Sequence, residues 1–276
     1  MPKSPPRMQK DFFYPKKSLG QSFLKSKKIA ERLVSALPLE KGDLVLEIGP
    51  GKGILTEFLV KYPVRVIGIE IDTRLVLFLR ERFKDFPNLI IIQGDILKYD
   101  FPEEGMKIIG NIPFSLSSPL LFHLFAHWPK WQVAVLTFQR EFSRRLLAEP
   151  KSKEYSALTL ISSLYVEKER LFSIPRRFFK PEPKVESESI ILYRREKPLF
   201  LEEHPEFINF LKAVFAHRRK TLLNNLVEYL HRQGEEGATL RLELKKVLEE
   251  RGFSDCRAED LRLEEFKEVY DALKRL

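Results

Sequence analysis

The sequence has little cysteine and no long apolar run. Its 276 residues include one cysteine, Cys256, which excludes an internal disulfide framework and is typical of the reducing cytoplasm. No stretch approaches the roughly 20 apolar residues of a membrane-spanning helix, and no apolar segment of a signal peptide follows Met1. The five histidines form no metal-ligand pattern with the cysteine. We therefore expect a cytoplasmic protein that uses neither a membrane nor a metal.

Acidic residues are outnumbered, and the basic excess is clustered. The formal net charge is +9 and the pI is about 9.4. A basic arm is predicted over residues 1–20, and two further clusters are "PRRFFKPEPK" at 175–184 and "HRRK" at 217–220. A solvated surface would account for any single cluster. Together, and with aromatic residues interleaved, the clusters favour a nucleic acid as the partner.

Strand and helix patterns alternate over about the first 150 residues. Short Val/Ile/Leu-rich runs are followed by amphipathic helical segments, which predicts an α/β fold with a doubly wound, Rossmann-like parallel sheet. Beyond residue 196 the strand signals end and four amphipathic helical segments follow. The sequence predicts two domains: residues 1–195 with the sheet, and residues 196–276 as a small all-helical domain.

A glycine-rich turn, "LEIGPGKG" at 46–53, follows the first strand of the sheet. This order of strand, turn and helix lets the backbone approach a ligand at the carboxyl edge of a sheet. Counted from Gly49 and Gly51, the third glycine of a nicotinamide dinucleotide fingerprint would fall at Ile54. The looser pattern suits a cofactor without a phosphate and favours S-adenosylmethionine, a methyl donor.

Acidic residues close the next two strands. Glu70 ends "VRVIGIE", where it can accept hydrogen bonds from ribose hydroxyls, and Asp95 follows "NLIIIQG", where it can accept from an adenine amine. Each could instead cap a helix or end a strand in solvent. In combination with the glycine turn, the two acids favour an adenosyl cofactor.

The fourth strand ends in "GNIPF", residues 110–114. An adenine amine is a poor nucleophile because its lone pair is delocalised into the ring. The Asn111 amide oxygen and the Pro113 carbonyl can accept its two N–H bonds and direct the lone pair toward a methyl group. Pro113 fixes the turn, and Phe114 offers a face on which a base can stack. A buried aromatic in a proline turn would explain the last two residues but explains Asn111 poorly.

These segments, in this order, resemble a known family. "GQSFL", "LEIGPGKGILT", "IEID", "GDIL", "GNIPFSLSSPLLF", "QREFSRRLLA", "FFKPEPKVES", "FAHRRKTLLNNL" and "RAEDL" are similar to the KsgA-type small-subunit ribosomal RNA adenine dimethyltransferases. The resemblance spans about residues 18–272. It implies a class I methyltransferase sheet with a helical domain, and dimethylation of two adjacent adenosines in the 3′-terminal hairpin loop of small-subunit (16S) RNA. It further implies S-adenosylmethionine as the cofactor and an assembling 30S particle as the partner of a monomeric enzyme.

The resemblance also implies site residues. The cofactor-contacting positions are Ser22, Leu24, Gly49, Gly51, Glu70, Asp95 and Asn111. The target-base positions are Asn111, Pro113, Phe114 and Phe179. The chain has Ser22 where the family usually has Asn, N-I-P-F for its N-L-P-Y, and "KVES" for its K-V-D-S. From charge placement alone, Arg218, Arg219 and Lys220 are predicted to bind RNA.

Other functions remain open at this level. A related enzyme class methylates one adenosine of large-subunit RNA and can share parts of both "FKPEPKVES" and the segment at 215–226, so the choice of substrate rests on overall likeness. A non-catalytic RNA-binding assembly factor could retain the same fold, although the intact "GNIPF" and the two strand-end acids argue against lost catalysis. A nicotinamide dehydrogenase is disfavoured by Ile54.

Overall fold

The computed structural model describes residues 20–203, 205–235 and 239–275. Its strands are β1 (Phe23–Leu24), β2 (Leu44–Ile48), β3 (Arg65–Glu70), β4 (Leu89–Gln93), β5 (Met106–Asn111), β6 (Trp131–Gln139), β7 (Val166–Ile174), β8 (Phe179–Lys180) and β9 (Ser187–Arg194). Its α-helices are α1 (Lys27–Ala36), α2 (Thr56–Leu59), α3 (Thr73–Arg82), α4 (Ser117–Ala126), α5 (Arg140–Leu146), α6 (Ala157–Tyr165), α7 (Glu206–Val214), α8 (Leu222–Arg232), α9 (Leu240–Glu249) and α10 (Leu263–Leu273). The predicted basic arm lies outside the described residues, apart from Gly20.

Seven strands form one sheet in the order β4-β3-β2-β5-β6-β9-β7. The pairs β3–β4, β2–β3, β2–β5 and β5–β6 are parallel, whereas β6 pairs with β9 antiparallel. The predicted Rossmann-like α/β sheet is therefore confirmed, but it is mixed rather than wholly parallel. The chain passes from β7 to β9 without the crossover helix that a parallel connection normally needs.

The elements form where the apolar spacing and the caps predict them. The Ser26 side chain caps α1 by accepting from the Ile29 N–H, and Asp72 caps α3 by accepting from the Arg74 N–H. All five residues of β2 are buried, as expected for a central strand covered on both faces. Helix α1 packs its apolar face against this core.

The described chain divides into two compact units. The first comprises the described residues up to Arg140 together with Lys168–Arg194, and the second comprises Glu141–Glu167 together with Arg195 onward. The segment 141–167, which the sequence analysis placed in the first domain, thus belongs to the helical unit. Leu160, Ile161 and Leu164 of α6 explain this, because they are buried in one apolar cluster with residues of α7 to α10.

No helix among the described ranges is both long enough and apolar enough to span a membrane. Within the same ranges, no group of three or more His, Cys, Asp or Glu side chains is arranged to hold a metal ion.

Candidate active site

The carboxyl ends of the parallel strands β2 to β5 border a cleft in the first unit, as expected for an open α/β sheet. The cleft has a cavity volume of about 210 Å³. Six predicted cofactor positions line it, namely Ser22, Gly49, Gly51, Glu70, Asp95 and Asn111, and so does the predicted target-site residue Pro113. Leu24 is not among the lining residues, because its side chain is buried in the core beside α1.

The glycine-rich turn adopts a backbone conformation that favours glycine. Gly49 and Gly51 have φ angles of +63° and +59°, in the left-handed region that other residues adopt only with strain. A Cβ atom at Gly51 would lie 3.0 Å from the Phe23 ring. The turn therefore lets the backbone lie close to the cleft, as the sequence predicted.

The Glu70 carboxylate organises this end of the cleft. One oxygen accepts the Gly51 N–H at 3.0 Å, and the other accepts the Asp72 N–H at 2.9 Å. The side chain is buried, and burial raises the pKa of Glu70. Because each carboxylate oxygen can accept more than one hydrogen bond, Glu70 can hold the turn and still accept from a ligand in the cleft.

Asp72, two residues after Glu70, is buried and holds neighbouring side chains by hydrogen bonds. Its carboxylate accepts hydrogen bonds from the Arg74 guanidinium at 3.0 and 2.6 Å and from the Gln21 amide at 3.3 Å. These bonds, above all those from Arg74, hold the pKa of Asp72 well below its usual range. Asp72 is therefore a fixed negative charge that ties the segment before β1 to the end of β3.

Asp95 both caps a turn and lines the cleft. Its Oδ1 accepts the Leu97 N–H at 3.0 Å, which fixes the carboxylate at the end of β4. The capping role that the sequence left open for Asp95 is therefore present. The cap uses one carboxylate oxygen, which leaves acceptor capacity on the side facing the cleft.

Glu47, in the glycine-rich segment, is wholly buried. Its Oε2 accepts the Thr56 hydroxyl at 2.7 Å, and its Oε1 has no hydrogen-bond partner among the described residues. Burial outweighs the Thr56 bond and raises the pKa of Glu47 to about 7. A carboxyl group in this environment is stabilised in its protonated form.

Asn111 lies where two cavities meet. It lines the cleft and also a second, smaller pocket of about 30 Å³, whose lining includes Phe114 and Phe179. The Asn111 Nδ2 donates to the Ser22 carbonyl at 3.1 Å. With the amide held in this orientation, Oδ1 is the side-chain atom that remains to accept a hydrogen bond.

The turn after Asn111 departs in one detail from its predicted role. The Pro113 carbonyl, predicted to accept an N–H of the target amine, accepts the Leu116 N–H at 2.9 Å. A carbonyl has a second lone pair, so this bond limits the geometry of a further donor without excluding it. Phe114 is half-buried and faces the small pocket.

Phe179 reaches the small pocket through a contact that the sequence analysis missed. Strand β8 pairs with β1 antiparallel, with Leu24 opposite Phe179 and Phe23 opposite Lys180. The Ser22 hydroxyl also donates to the Pro181 carbonyl at 2.8 Å. This short ladder buries the Phe179 side chain while leaving part of it in the pocket lining.

Three further residues that line the cleft were not predicted from the sequence. Gln21, Phe23 and Ile71 all border the cleft. Ile71 is half-exposed although it is apolar. A single exposed apolar residue is common in proteins, so "EID" carried no signal in the sequence that Ile71 would line the cleft.

The three predicted RNA-binding cations lie in the second unit, between α7 and α8. Arg218 pairs with Glu259 at 2.7 Å, and Lys220 pairs with Glu228 at 3.0 Å. Arg219 is exposed and forms no ion pair with any residue that the structure describes. Thr221 caps α8, so all three cations precede the helix rather than form its first turn.

The cleft fits S-adenosylmethionine. The carboxylates of Glu70 and Asp95, near the ends of β3 and β4, can accept hydrogen bonds from ribose hydroxyls and an adenine amine. The half-exposed Ile71 adds an apolar side chain to the lining. The glycine turn allows close approach and places no cation for a phosphate among the lining residues. This donor set matches an adenosyl group carried on a sulfonium rather than a dinucleotide.

Comparisons with known proteins agree with this geometry. A probable ribosomal RNA small subunit methyltransferase A of Methanopyrus kandleri is 40% identical over 237 residues, covering 86% of this chain and 83% of that protein. The crystal structure of a dimethyladenosine transferase from Plasmodium falciparum has a TM-score of 0.79 at 30% identity, covering 92% of this chain and 98% of that one. The 23S rRNA methyltransferase ErmE has a TM-score of 0.70 at 27% identity, covering 91% and 99%.

A family model extends the agreement to nearly the whole sequence. The model described as ribosomal RNA adenine dimethylase matches residues 13–269, which include all of the predicted site residues and most of both units. The sheet, the cleft and the "GNIPF" turn are the parts that an adenine methyltransferase requires. This chain belongs to the ribosomal RNA adenine dimethylase family.

Proposed function

We propose that this protein uses S-adenosylmethionine to convert two adjacent adenosines in the 3′-terminal hairpin loop of small-subunit ribosomal RNA to N6,N6-dimethyladenosine. The observation that carries the proposal is the position of Asn111, which borders both the cofactor cleft and the small pocket. The similarity to a protein described as a small subunit methyltransferase supports the choice of subunit.

Asn111 prepares the target amine for attack. When bound, S-adenosylmethionine supplies an electrophilic methyl group on a sulfonium. The Asn111 Oδ1 accepts one N–H of the adenine amine, which draws the nitrogen lone pair out of conjugation and orients it toward the cleft. The hydrogen bond strengthens as positive charge develops on nitrogen, so it stabilises the transition state more than the ground state. Each transfer would break the S–CH3 bond and leave the donor as a neutral thioether, and the nitrogen then loses one proton to solvent. A second donor molecule is needed for the second methyl group.

The aromatic residues of the small pocket hold the base. An enzyme that acts on an RNA base takes that base out of its stack, and stacking on protein rings offsets the cost of doing so. Phe114 and Phe179 both line the pocket that adjoins Asn111. Neither ring carries a hydroxyl, so stacking and shape are their contributions.

The experiment that tests this function is mass spectrometry of ribosomal RNA incubated with the protein and S-adenosylmethionine. We expect two adjacent dimethyladenosines in the small-subunit RNA of particles that lack the modification. Methylation of large-subunit RNA instead would support the second candidate, which the likeness to the 23S rRNA methyltransferase favours. RNA binding without any methyl transfer would support a non-catalytic assembly factor.

Glu70 is proposed to anchor the cofactor ribose. Replacing Glu70 with Ala should weaken S-adenosylmethionine binding by about 1.5–3 kcal/mol, the usual scale for hydrogen bonds to a charged group. Titration calorimetry measures this loss, and Glu81→Ala on the exposed face of α3 is the control. Unchanged affinity in a folded Glu70→Ala protein would remove Glu70 from the cofactor site.

The helical unit is proposed to contribute to RNA binding through Arg218, Arg219 and Lys220. Two of these cations are already paired with acids, so Arg219 is the one whose charge is unmatched among the described residues. RNA phosphates can still compete for a cation in an exposed ion pair, because such pairs are weak in water. The contribution of the cluster should therefore depend most on Arg219.

We also propose that the substrate is RNA within an assembling 30S particle and that one copy of the chain acts alone in the cytoplasm. All residues that line the cleft and the small pocket come from the first unit, so the proposed site needs no residue of the helical unit. The single cysteine is free, as is usual in a reducing compartment.

A further inference from the structure

The geometry points to a second RNA-binding surface, located on the methyltransferase unit beside the target-base pocket. It consists of five exposed cations, which we name the α1–β8 surface: Lys25, Lys28, Arg32, Arg177 and Lys180. The inference rests on the proposed function, because it assigns these residues to the phosphates that flank the target base.

Three of these cations are attached to the segment that forms the pocket wall. The Lys25 N–H donates to the Phe178 carbonyl at 2.8 Å, and Lys180 lies opposite Phe23 in the β1–β8 ladder. Arg177 lies over the Phe178 ring, 5.0 Å from its centroid. Phe178 and Lys180 are the chain neighbours of Phe179, so these cations belong to the short ladder that positions the aromatic residue of the pocket.

The other two cations continue the surface along α1. Lys28 and Arg32 are four residues apart and therefore lie on the same exposed face of the helix. The Arg32 guanidinium lies over the Phe172 ring of β7, 3.9 Å from its centroid. Stacking on a ring fixes the guanidinium plane and leaves its N–H edge available for an anion.

The cations of the α1–β8 surface are unmatched, whereas their neighbours are not. Lys27 pairs with Glu57, and Arg176 pairs with Glu182 at 2.9 Å. Among the described residues, no acid lies within ion-pair distance of any of the five cations of the surface. Even Glu31, which is the acid of α1, forms no ion pair within the described chain.

The placement of Lys28 is unfavourable for the helix itself. The first turn of α1 contains Lys27 and Lys28 and no acid, although the helix dipole favours negative charge there. Lys28 and Arg32 are also like charges at a spacing where they repel. Glu31, three residues after Lys28, offsets only part of these penalties. An anion bound across this face would remove both penalties.

A polyanion is the ligand that this surface fits. The cations extend along an exposed helix and a short ladder rather than converge on one point, so they suit a series of phosphates better than a single one. Phosphate contacts position an RNA without reading its sequence. Here they would hold the strand so that one base reaches the pocket beside Phe179.

Salt dependence of RNA binding tests the inference with a closely matched control. The test variant is Lys25→Gln with Lys28→Gln, and the control is Lys27→Gln with Arg176→Gln. Both lose two positive charges from the same neighbourhood, but only the control cations are paired with acids. With small-subunit RNA, we expect the test variant to flatten the slope of log affinity against log salt by about 1.4–1.8, because each lost phosphate contact removes about 0.7–0.9. The control should change it by less than half as much.

Two further measurements keep the result decisive. S-adenosylmethionine affinity should be the same in both variants and in the wild type, because no mutated residue lines the cleft. Equal slopes for test and control, or a slope change only when Arg218, Arg219 and Lys220 become Gln, would overturn the inference. Methyl transfer by the wild type is measured on the same RNA. If methyl transfer occurs but the slopes of test and control are equal, RNA binding by the α1–β8 surface is refuted and the proposed function stands. If no methyl transfer occurs, the proposed function is refuted whatever the slopes are.

Discussion

Replacing Asn111 with Ala is expected to slow methyl transfer by about 100-fold or more, while RNA affinity changes little. Removing one preorganised hydrogen-bonding group from a transition state costs about 100- to 1,000-fold in rate. The Asn111 side chain is held by the Ser22 carbonyl at the meeting point of the two cavities, so the alanine variant loses both the acceptor and its orientation. Single-turnover rates with saturating cofactor and RNA measure the effect.

A neighbouring substitution controls for disturbance of the strand. Thr137 is opposite Asn111 in the β5–β6 register, is buried, and has a hydroxyl without a hydrogen-bond partner in the described structure. Thr137→Val should leave the rate near that of the wild type. A near-normal rate for Asn111→Ala would refute its role in transfer, and a loss confined to cofactor affinity would assign it to cofactor binding instead.

The stability of the methyltransferase unit should fall as the pH rises from about 5 to 8, and Glu47 should account for about 3 kcal/mol of that loss. Burial raises the pKa of Glu47 to about 7, from 4.5 for an exposed glutamate. Between these values the native state keeps a proton that the unfolded state releases, so rising pH favours unfolding. The shift of about 2.5 units corresponds to about 3 kcal/mol. The loss is nearly complete by about pH 8, one unit above the native pKa.

Glu47→Gln should remove this component of the pH dependence, because the amide is neutral throughout. Urea unfolding followed by tryptophan fluorescence is a suitable measurement, since both tryptophans, Trp128 and Trp131, lie in the methyltransferase unit. Glu57→Gln is the control. The pKa of Glu57 is lowered, chiefly by Lys27, so its contribution is lost as the pH falls through the acidic range and not between pH 5 and 8. Parallel curves for wild type and Glu47→Gln would contradict the assignment.

The parts of the site that the sequence predicted are those fixed by local patterns. Glu70 and Asn111 are the last residues of β3 and β5, and Asp95 lies two residues beyond β4. Parallel strands bring their carboxyl ends to one edge of the sheet. Gly49 and Gly51 predict a turn because glycine adopts the positive φ angles that such a turn needs. These inferences need only the order of the elements and the period of the apolar residues.

The parts that the sequence did not predict depend on contacts distant in the chain. Strands β1 and β8 have two residues each and are separated by more than 150 residues, so neither carries a strand signal of its own. The Arg218–Glu259 pair likewise links residues 41 apart. The assignment of 141–167 to the helical unit follows from the packing of α6, which has no distinguishing mark in the sequence.

The discontinuous course of the helical unit limits how the protein can be shortened. A fragment ending at residue 195 keeps α6 but lacks the helices that cover Leu160, Ile161 and Leu164. Those side chains would then face water as a contiguous apolar patch, and such patches promote aggregation. A clean excision of the helical unit would have to remove two segments of the chain and rejoin Arg140 to Lys168, the last residue of one span and the first of the next. A single truncation therefore cannot separate the two units, because the helical unit is made of two segments of the chain.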